Sequence, residues 1–121
     1  MKINFTKKPW GGFETFTKNE KSTVKILIIK PGQMISLQKH NNRKEFWKIL
    51  ENSAKVTIGK KIVKLKKGDT IAIKKNTFHR IEALSKEVRV LEISFGKFDE
   101  KDITRIDDVY GRIKNERTKK S

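Results

Sequence analysis

Short runs of β-branched and aromatic residues, separated by turn-forming residues, recur along most of this chain of 121 residues. Runs of this kind predict strands, and the Gly, Pro, Asn and Asp residues between them predict turns. The predicted strands are residues 22–30, 33–38, 45–50, 53–58, 61–65, 70–73, 78–83 and 88–95. Many short strands at near-regular spacing are typical of a sandwich or barrel. We therefore expect an all-β fold.

The strand predicted at residues 22–30 is apolar on both faces. Val24, Ile26 and Ile28 share one face of an extended chain. Leu27 and Ile29 lie on the other face. Because continuous apolar runs are typical of strands covered on both sides, we expect this strand to be buried on both faces.

Chain length and cysteine count limit the architecture. A chain of 121 residues has room for one hydrophobic core, and we place the domain at residues 1–113 and a basic, polar tail at 114–121. The absence of cysteine excludes disulfides and thiolate metal sites. No apolar run approaches the ~20 residues of a membrane span, and the first dozen residues lack the apolar segment of a signal peptide. We expect a cytoplasmic protein without a membrane partner.

The chain is strongly basic, with 30 Lys and Arg residues against 14 Asp and Glu residues and a net charge of +16. Such an excess indicates either attraction to polyanions or a lysine-rich solvated surface. The lysines are spread along the whole chain, and no surface for stacking on nucleic-acid bases is visible. This pattern favours a lysine-rich surface, so we do not expect a nucleic-acid partner, although the charge could still attract a sugar phosphate.

Four polar residues form the most informative pattern in the chain. Gln38 and His40 are two positions apart, so their side chains face the same way on a strand. Glu45 follows a short loop at the start of the next predicted strand, and His79 begins a later strand after a turn. Two imidazoles, a carboxylate and an amide oxygen suit Zn²⁺, Mn²⁺, Fe²⁺, Co²⁺ or Ni²⁺ with open positions for water. Spacing alone leaves open that these four are ordinary surface residues.

The order of these residues resembles the two motifs of the cupin family. The first cupin motif is His-x-His, then three or four residues, then Glu. Gln38 stands at the first His position, His40 at the second and Glu45 at the Glu position. The second motif is a Gly, a turn and a final His, matched by Gly68 and His79. The resemblance implies a cupin jelly-roll barrel, the double-stranded β-helix.

More narrowly, the chain resembles the cupin domain of type II mannose-6-phosphate isomerases, which often form the C-terminal part of bifunctional enzymes with GDP-mannose pyrophosphorylase. That family begins with Arg-Pro-Trp-Gly, matched at residues 8–11. It carries Leu-Gln-x-His-x-His-Arg-x-Glu-His-Trp, matched at six positions of residues 37–47, and His-Arg-apolar-Glu, matched at 79–82. It ends in Tyr-Gly-Arg after acidic residues, matched at 107–112. The resemblance implies that Gln-His-Glu-His holds a divalent metal, for which we expect zinc first and Mn, Fe, Co or Ni as alternatives.

The chain departs from this family at several positions near the motifs. Asn41 and Asn42 replace histidines, and Phe46 replaces another. Lys74 and Asn76 replace a Pro and a Gly of the second motif. None of these positions is a proposed ligand. The lost histidines would remove polar groups near the pocket, which bears on turnover more than on metal binding.

The resemblance implies a small phosphorylated sugar as substrate, and its phosphate requires cationic groups. Arg43 lies between two proposed ligands, and guanidinium groups match phosphate oxygens. Arg112 follows Tyr110 near the C-terminus, and Lys8 could cover the mouth of the barrel. These four residues are the expected substrate-binding set. Arg112 could equally form a salt bridge within its own segment.

Interconversion of an aldose and a ketose moves a proton between two carbons through an enediol, which requires a base and a cation at the developing oxyanion. The catalytic candidates are Arg43, Arg80 and Glu82, and Glu92 is a further carboxylate that could face the cavity. The sequence does not assign the base. Arg80 directly follows a ligand on a strand, so it could instead point out of the barrel. Trp47 is either a core aromatic, which we favour, or a surface for substrate stacking.

The resemblance therefore implies a metal-dependent isomerase that interconverts mannose 6-phosphate and fructose 6-phosphate. The alternative is a non-catalytic or differently specific cupin that binds a sugar phosphate or a nucleotide sugar, because a fold does not determine a function. We also expect a homodimer, because an unpaired sheet edge is a liability. The segment around Phe5 and Trp10 could extend the sheet of a neighbouring copy.

Overall fold

A computed structural model describes residues 4–107 of the chain. The strands in this part are β1 (Asn4–Lys8), β2 (Gly11–Thr15), β3 (Ser22–Ile29), β4 (Leu37–Lys39), β5 (Lys44–Glu51), β6 (Ser53–Ile58), β7 (Lys61–Lys66), β8 (Thr70–Ile73), β9 (His79–Ala83), β10 (Val88–Phe95) and β11 (Thr104–Asp107). The predicted all-β class is confirmed. No helix of the described residues is long and apolar enough to cross a membrane.

Two antiparallel sheets form the body of the domain. One sheet has four strands in the order β3-β10-β5-β8, and the other has five in the order β11-β4-β9-β6-β7. Strands β1 and β2 form a separate hairpin. Most neighbouring strands in the two sheets are distant along the chain, as in the pairing of β3 with β10. The sheets therefore exist only when the whole domain has folded.

The core lies between the two sheets, where alternate side chains of each strand point inwards. On β9, Ile81 and Ala83 are fully buried, and the residue between them is half-buried. Trp47 and Ile49 enter the same core from β5 of the other sheet. The buried apolar residues of this cluster are Ile29, Trp47, Ile49, Ala54, Val56, Ile73, Ile81, Ala83, Val88 and Val90.

A second, smaller cluster covers part of the outer face of the four-stranded sheet. Phe46, Ile93 and Phe95 are buried there and pack with Phe16 and Leu91. Phe46 is adjacent to a core residue on β5, so it points to the opposite face of the sheet. Because Phe16 follows β2, the chain between β2 and β3 supplies the cover for this cluster.

Strand β3 forms an edge of its sheet, and its outer face is exposed. Val24, Ile26 and Ile28 are 58%, 54% and 54% exposed, whereas Ile29 on the inner face is 6% exposed. The expectation that this strand is buried on both faces is therefore wrong. An apolar run predicts a strand, but it does not show whether another layer covers the second face.

Four strands were not predicted as the structure has them. The segment predicted at 33–38 overlaps the short β4 (Leu37–Lys39) at two residues and includes an isolated bridge between Met34 and Glu82. The hairpin of β1 and β2 was missed because most of its residues are exposed, which leaves no alternation of apolar and polar residues. The last strand, β11, was missed for a similar reason, since only half of its residues are partly buried.

The predicted turn before β9 positions the end of β4. Asn76 has a positive φ of 58°, a conformation that Asn adopts more readily than most residues. The backbone N–H of Asn76 donates to the carbonyl of His40 at 2.8 Å. This bond fixes the turn beside the residue that directly follows β4.

We predict that Ile49→Ala lowers the free energy of unfolding by about 2–5 kcal/mol, because the lost side chain leaves a cavity in the core. Ile49 is 0% exposed. The matched control is Ile62→Ala on β7, where the side chain is 63% exposed, and this change should cost less than about 1 kcal/mol. Denaturant unfolding measures both values, and equal losses would contradict this assignment of the core.

Candidate metal centre

Both histidines of the chain and one glutamate converge between the two sheets. His40 directly follows β4, and His79 is the first residue of β9 in the same sheet. Glu45 is the second residue of β5 in the other sheet. All three side chains are buried, and one ligand atom from each lies within 4.8 Å of the other two. The structure thus brings three of the four expected ligands together as a possible metal site.

The spacing of the donor atoms matches a metal-ligand set. Oε1 of Glu45 lies 3.4 Å from Nε2 of His40 and 3.3 Å from Nε2 of His79. Ligand atoms that share one ion at about 2.0–2.2 Å lie about 3.0–3.5 Å apart. The carboxylate oxygen is therefore at ligand-to-ligand distance from both imidazoles.

Backbone carbonyls orient both imidazole rings. Nδ1 of His40 lies 2.6 Å from the carbonyl oxygen of Asp102, and Nδ1 of His79 lies 2.8 Å from that of Thr77. Because a carbonyl oxygen only accepts, each Nδ1 donates its proton, and each neutral ring keeps its lone pair on Nε2. The two carbonyls thus select the tautomer that presents both Nε2 atoms to Glu45. Partners of this kind hold metal-binding histidines in position.

The two oxygens of the Glu45 carboxylate have different partners. Oε2 accepts hydrogen bonds from Nε of Arg43 at 3.2 Å and from the hydroxyl of Ser94 at 3.0 Å. Oε1 faces the imidazoles. Burial raises the pKa of Glu45, but hydrogen bonds and positive charge from His40 and His79, which the rings supply when a proton occupies Nε2, outweigh burial and hold that pKa well below its usual range. In the metal-binding tautomer the ion takes the place of those protons. The carboxyl group is therefore ionised, which is the form that binds a metal.

Buried polar atoms without hydrogen-bond partners mark the centre of this set. Within residues 4–107, Oε1 of Glu45 and Nε2 of His79 have no such partner, although unsatisfied buried polar atoms are costly. The lone pairs of these atoms repel each other unless a cation lies between them. A divalent ion held by both imidazoles and the carboxylate removes both penalties. These residues therefore fit the metal that the family resemblance implies, and nitrogen and oxygen donors suit the expected transition metals.

Gln38 lies beside this set on β4. It is the direct antiparallel partner of His79 on β9, and directly opposed residues share a face of the sheet. It also lines the same cavity as His40 and Glu45. Its Oε1 accepts a hydrogen bond from the hydroxyl of Ser36 at 2.9 Å, which leaves a second lone pair on that oxygen. This placement is compatible with a fourth ligand.

A cavity of about 290 Å³ is lined by His40 and Glu45 of this set. Its cationic side chains are Lys25, Arg43 and Arg105. Its carboxylates are Glu45, Glu92 and Glu100. Its apolar wall is formed by Leu27, Ile35, Phe98 and Ile103. A lining rich in charged groups suits a small, polar, anionic ligand.

Glu92 is one of the two carboxylates that the sequence left open as the base, and the structure places it in this cavity. Nε1 of Trp47 donates to Oε2 of Glu92 at 3.0 Å. Burial, and then repulsion by Glu45, raises the pKa of Glu92 above its usual value of 4.5. Trp47 is fully buried, as expected for a core aromatic, and its ring meets that of His79 edge-on at 5.5 Å between centroids. A carboxyl group with a raised pKa in a cavity is typical of acid–base chemistry.

Arg80 and Glu82 lie on the face of β9 opposite to His79 and do not line the cavity. Nη1 and Nη2 of Arg80 donate to the carboxylate and the backbone carbonyl of Asp107 at 2.9 and 3.0 Å, so Arg80 attaches β11 to the sheet. Glu82 is the cross-strand partner of Lys55. Because side chains alternate along a strand, only one of the two faces of β9 can reach the metal-ligand set.

The expected substrate-binding residues do not form one group in the structure. Arg43 lines the cavity, whereas Lys8 lies in the β1–β2 hairpin and does not line it. Tyr110 and Arg112 lie outside the described residues, as does the predicted tail.

Two cations of the cavity, Lys25 and Arg105, were missed in the sequence. Lys25 is in phase with Leu27 and Ile29, so strand alternation could have placed it on the inner face. Arg105 is paired with Gln38 across β11 and β4. No pattern near residue 105 predicted this strand.

The positions at which this chain lacks the histidines of the family do not line the cavity. Phe46 packs against Ile93 and Phe95 on the outer face of the sheet. Asn41 and Asn42 are exposed and do not line the cavity. These replacements therefore remove no polar group from the lining of the cavity.

The family model described as mannose-6-phosphate isomerase C-terminal matches residues 3–108. The chain belongs to this family. It is 32% identical over 107 residues to the xanthan biosynthesis protein XanB of Xanthomonas campestris pv. campestris, covering 87% of this chain and 23% of that protein. It is 32% identical over 108 residues to the mannose-1-phosphate guanylyltransferase ManC of Salmonella typhimurium, covering 88% and 22%. The match covers about a quarter of the length of each of these relatives, so the family domain is one part of them.

Solved structures support the fold of this family domain. Oxalate decarboxylase from Bacillus subtilis superposes with a TM-score of 0.66 at 25% identity, covering 72% of this chain and 24% of that enzyme. A cupin protein from Bacteroides fragilis superposes with a TM-score of 0.57 at 23% identity, covering 64% and 70%. The expected cupin jelly roll is confirmed. A further oxalate decarboxylase structure, with a TM-score of 0.63, 23% identity and coverage of 73% and 25%, concerns the Mn(II) centres of that enzyme.

We predict that His79→Gln weakens zinc binding by at least about 100-fold, because even the outer partners of metal ligands contribute about 10–100-fold. His79 is 1% exposed and packs against Trp47, so His79→Ala would also open a cavity, whereas Gln retains much of the volume. Competition with a chromophoric chelator measures the affinity.

The control for this experiment is Arg80→Gln, which changes the next residue on β9, whose side chain lies on the other face. This variant should bind zinc as the wild type does. Unchanged zinc affinity in His79→Gln would show that the convergence of these residues is not a metal centre.

Proposed function

We propose that this domain is a metal-dependent isomerase that interconverts mannose 6-phosphate and fructose 6-phosphate through an enediol. The observation that carries the proposal is a buried His-Glu-His set whose His40 and Glu45 line the same cavity as Glu92, a buried carboxyl group of raised pKa. Aldose–ketose isomerisation requires a cation at the substrate oxygens and an acid–base group at the neighbouring carbons. Membership of the family supports this substrate.

His40, Glu45 and His79 would hold the metal, and we propose Gln38 as the fourth ligand. Zinc is the first candidate, and Mn, Fe, Co and Ni are the alternatives, because imidazole and carboxylate donors accept each of them. When bound, the ion supplies a Lewis acid that polarises the oxygens of the substrate.

We propose that Glu92 moves the proton between the two carbons. The bond from Trp47 Nε1 fixes one of its oxygens, Oε2, which leaves Oε1 to take the proton from one carbon and return it to the next. Burial lowers the cost of carrying that proton, because it disfavours the charged form of the carboxyl group. The raised pKa therefore suits a group that must both accept and donate.

We propose a role for Arg43 that differs from the expected phosphate clamp. Its Nε donates to Glu45 at 3.2 Å, its Nη1 donates to the carbonyl of Asp99 at 3.0 Å, and its Nη2 lies 3.3 Å from Nε2 of His40. All three nitrogens are therefore directed at the protein. We propose that Arg43 mainly holds Glu45 in place and adds positive charge to the cavity.

We propose that Lys25 on β3 and Arg105 on β11 bind the phosphate of the substrate, because both line the cavity. Nζ of Lys25 lies 4.0 Å from the ring centroid of Phe98, and Cζ of Arg43 lies 4.5 Å from the same centroid. One aromatic ring thus keeps two cations at one side of the cavity. Lys8, Tyr110 and Arg112 stay predictions for the same role.

The proposal covers the family domain alone. The chain spans about a quarter of the curated relatives it matches, so guanylyl transfer by the relative of that name is not part of it. A cytoplasmic location, and the absence of membrane and nucleic-acid partners, stay predictions.

We predict that Glu92→Gln lowers kcat for the formation of fructose 6-phosphate by about 100-fold or more, because an acid–base group contributes about 10²–10⁴-fold. The Gln side chain retains an oxygen for the bond from Trp47, so bound metal should be unchanged. A coupled assay for fructose 6-phosphate, run beside metal analysis, measures both.

The control is Glu82→Gln, which removes a carboxylate on the face of β9 away from the cavity and should leave kcat unchanged. Equal kcat in Glu92→Gln and Glu82→Gln would exclude Glu92 as the base.

The pH dependence of kcat provides a further test. In the Glu82→Gln control and in the wild type, kcat should fall as the pH decreases through a pKa above 4.5, because the base must be ionised and its pKa is raised. A metal-loaded wild type that binds mannose 6-phosphate without turnover would instead support the binding-only alternative.

We also propose that the domain is a homodimer, because two apolar surfaces of this basic chain are exposed. On the hairpin, Phe5 and Trp10 are 64% and 72% exposed, and β3 exposes Val24, Ile26 and Ile28. Contiguous exposed apolar groups are typical of interaction surfaces. Light scattering at micromolar concentration should give twice the monomer mass of 14.1 kDa, and Ile26→Lys should reduce it. A monomeric wild type would contradict this prediction.

A further inference from the structure

One residue outside the ligand set, Asp102, contacts three consecutive residues of the loop between β4 and β5. Its carboxylate oxygens accept hydrogen bonds from the backbone N–H groups of Asn41 at 2.8 Å and Asn42 at 2.9 Å. Its backbone carbonyl accepts the Nδ1 proton of His40 at 2.6 Å. Asp102 therefore fixes both the ring of His40 and the backbone that follows it.

We infer that Asp102 is a positioning residue that holds the His40 imidazole in the tautomer and orientation required for metal binding, an inference that rests on the proposed metal centre. Nε2 of His40 can be a ligand only while its proton is on Nδ1. The carbonyl of Asp102 accepts this proton at 2.6 Å, and Nη2 of Arg43, 3.3 Å from Nε2, favours the same tautomer from the other side of the ring. The side chain of the same residue ties this carbonyl to the loop that carries His40.

The side chain matters because the carbonyl belongs to a segment outside the strands. Asp102 lies between β10 and β11, two residues before β11 begins. Near this point the segment is also held by the bond from Arg43 to the carbonyl of Asp99 at 3.0 Å. The two charge-assisted bonds of the Asp102 carboxylate are stronger than neutral ones. Without them the carbonyl can move away from Nδ1, and the ring can then carry its proton on Nε2.

The alternative is that Asp102 has a purely structural role. Its carboxylate would then stabilise the loop without affecting the imidazole of His40, because Asp side chains commonly accept hydrogen bonds from nearby backbone N–H groups. The two roles differ in one observable property. A positioning role makes the protonation site of the His40 ring depend on the side chain at position 102, whereas loop closure alone changes only stability.

The experiment compares the wild type with Asp102→Ala, Asp102→Asn and a control, Asp99→Asn. Asp99 belongs to the same segment, and its carboxylate accepts from the backbone N–H of Lys101 at 2.9 Å. The control therefore removes the same charge without touching the loop. Nitrogen-15 NMR of the imidazoles, recorded in chelator-treated protein, reports which nitrogen of His40 carries the proton. Competition with a chromophoric chelator reports the affinity for zinc.

We expect the wild type and the control to keep the His40 proton on Nδ1, and Asp102→Ala to show a mixture of both tautomers. Zinc affinity should fall by about 10–100-fold in Asp102→Ala, as for other partners that orient a metal ligand. Asp102→Asn should lose less, because its amide oxygen can keep one of the two bonds.

An Asp102→Ala protein with an unchanged tautomer and unchanged zinc affinity would overturn the inference. If that variant does not fold, Asp102→Asn decides in the same way. A wild type that binds no zinc would refute the proposed metal centre, while the tautomer comparison in metal-free protein would still decide the role of Asp102. The two failures are therefore distinguishable.

Discussion

The buried carboxylate of Glu45 is the interaction on which the candidate site depends. Its Oε1 meets the imidazoles from the other sheet, and its Oε2 is held by Arg43 and by Ser94 of the neighbouring strand. An ionised carboxylate costs several kcal/mol to bury unless opposite charges and donors surround it. The groups that offset this cost also determine the geometry of the site, because each must lie within hydrogen-bond distance of one small group.

A second carboxyl group in the same cavity has the opposite environment. Burial and the charge of Glu45 raise the pKa of Glu92, whereas the neighbouring imidazoles overcome burial and lower that of Glu45. Pairs of carboxyl groups whose pKa values are displaced in opposite directions commonly divide their roles, one staying charged and the other exchanging protons. In this chain the division follows from position: Glu45 faces the imidazoles, and Glu92 faces the indole of Trp47, a donor without charge.

The cavity exists only in the complete fold, because its lining comes from both sheets and from the segment before β11. Lys25 lies on β3, Gln38 on β4 and Glu92 on β10. The segment that contains Phe98 and Asp102 closes one side of the cavity and reaches the loop after His40. Such contacts join distant parts of the chain, so the site depends on the stability of the whole domain.

The sequence predicted the all-β class, most strand positions and the proposed ligands. Alternation and turn residues are local properties, and the order of the family motifs can be read directly in the sequence. Alternation divides each strand into two faces, but it does not show which face another layer covers. Only the tertiary structure decided that Glu92 rather than Glu82 lies in the cavity and that the second apolar face of β3 is exposed. Likewise, only the pairing of β4 with β11 brings Arg105 beside Gln38, because contacts between distant segments depend on the packing of the complete sheets.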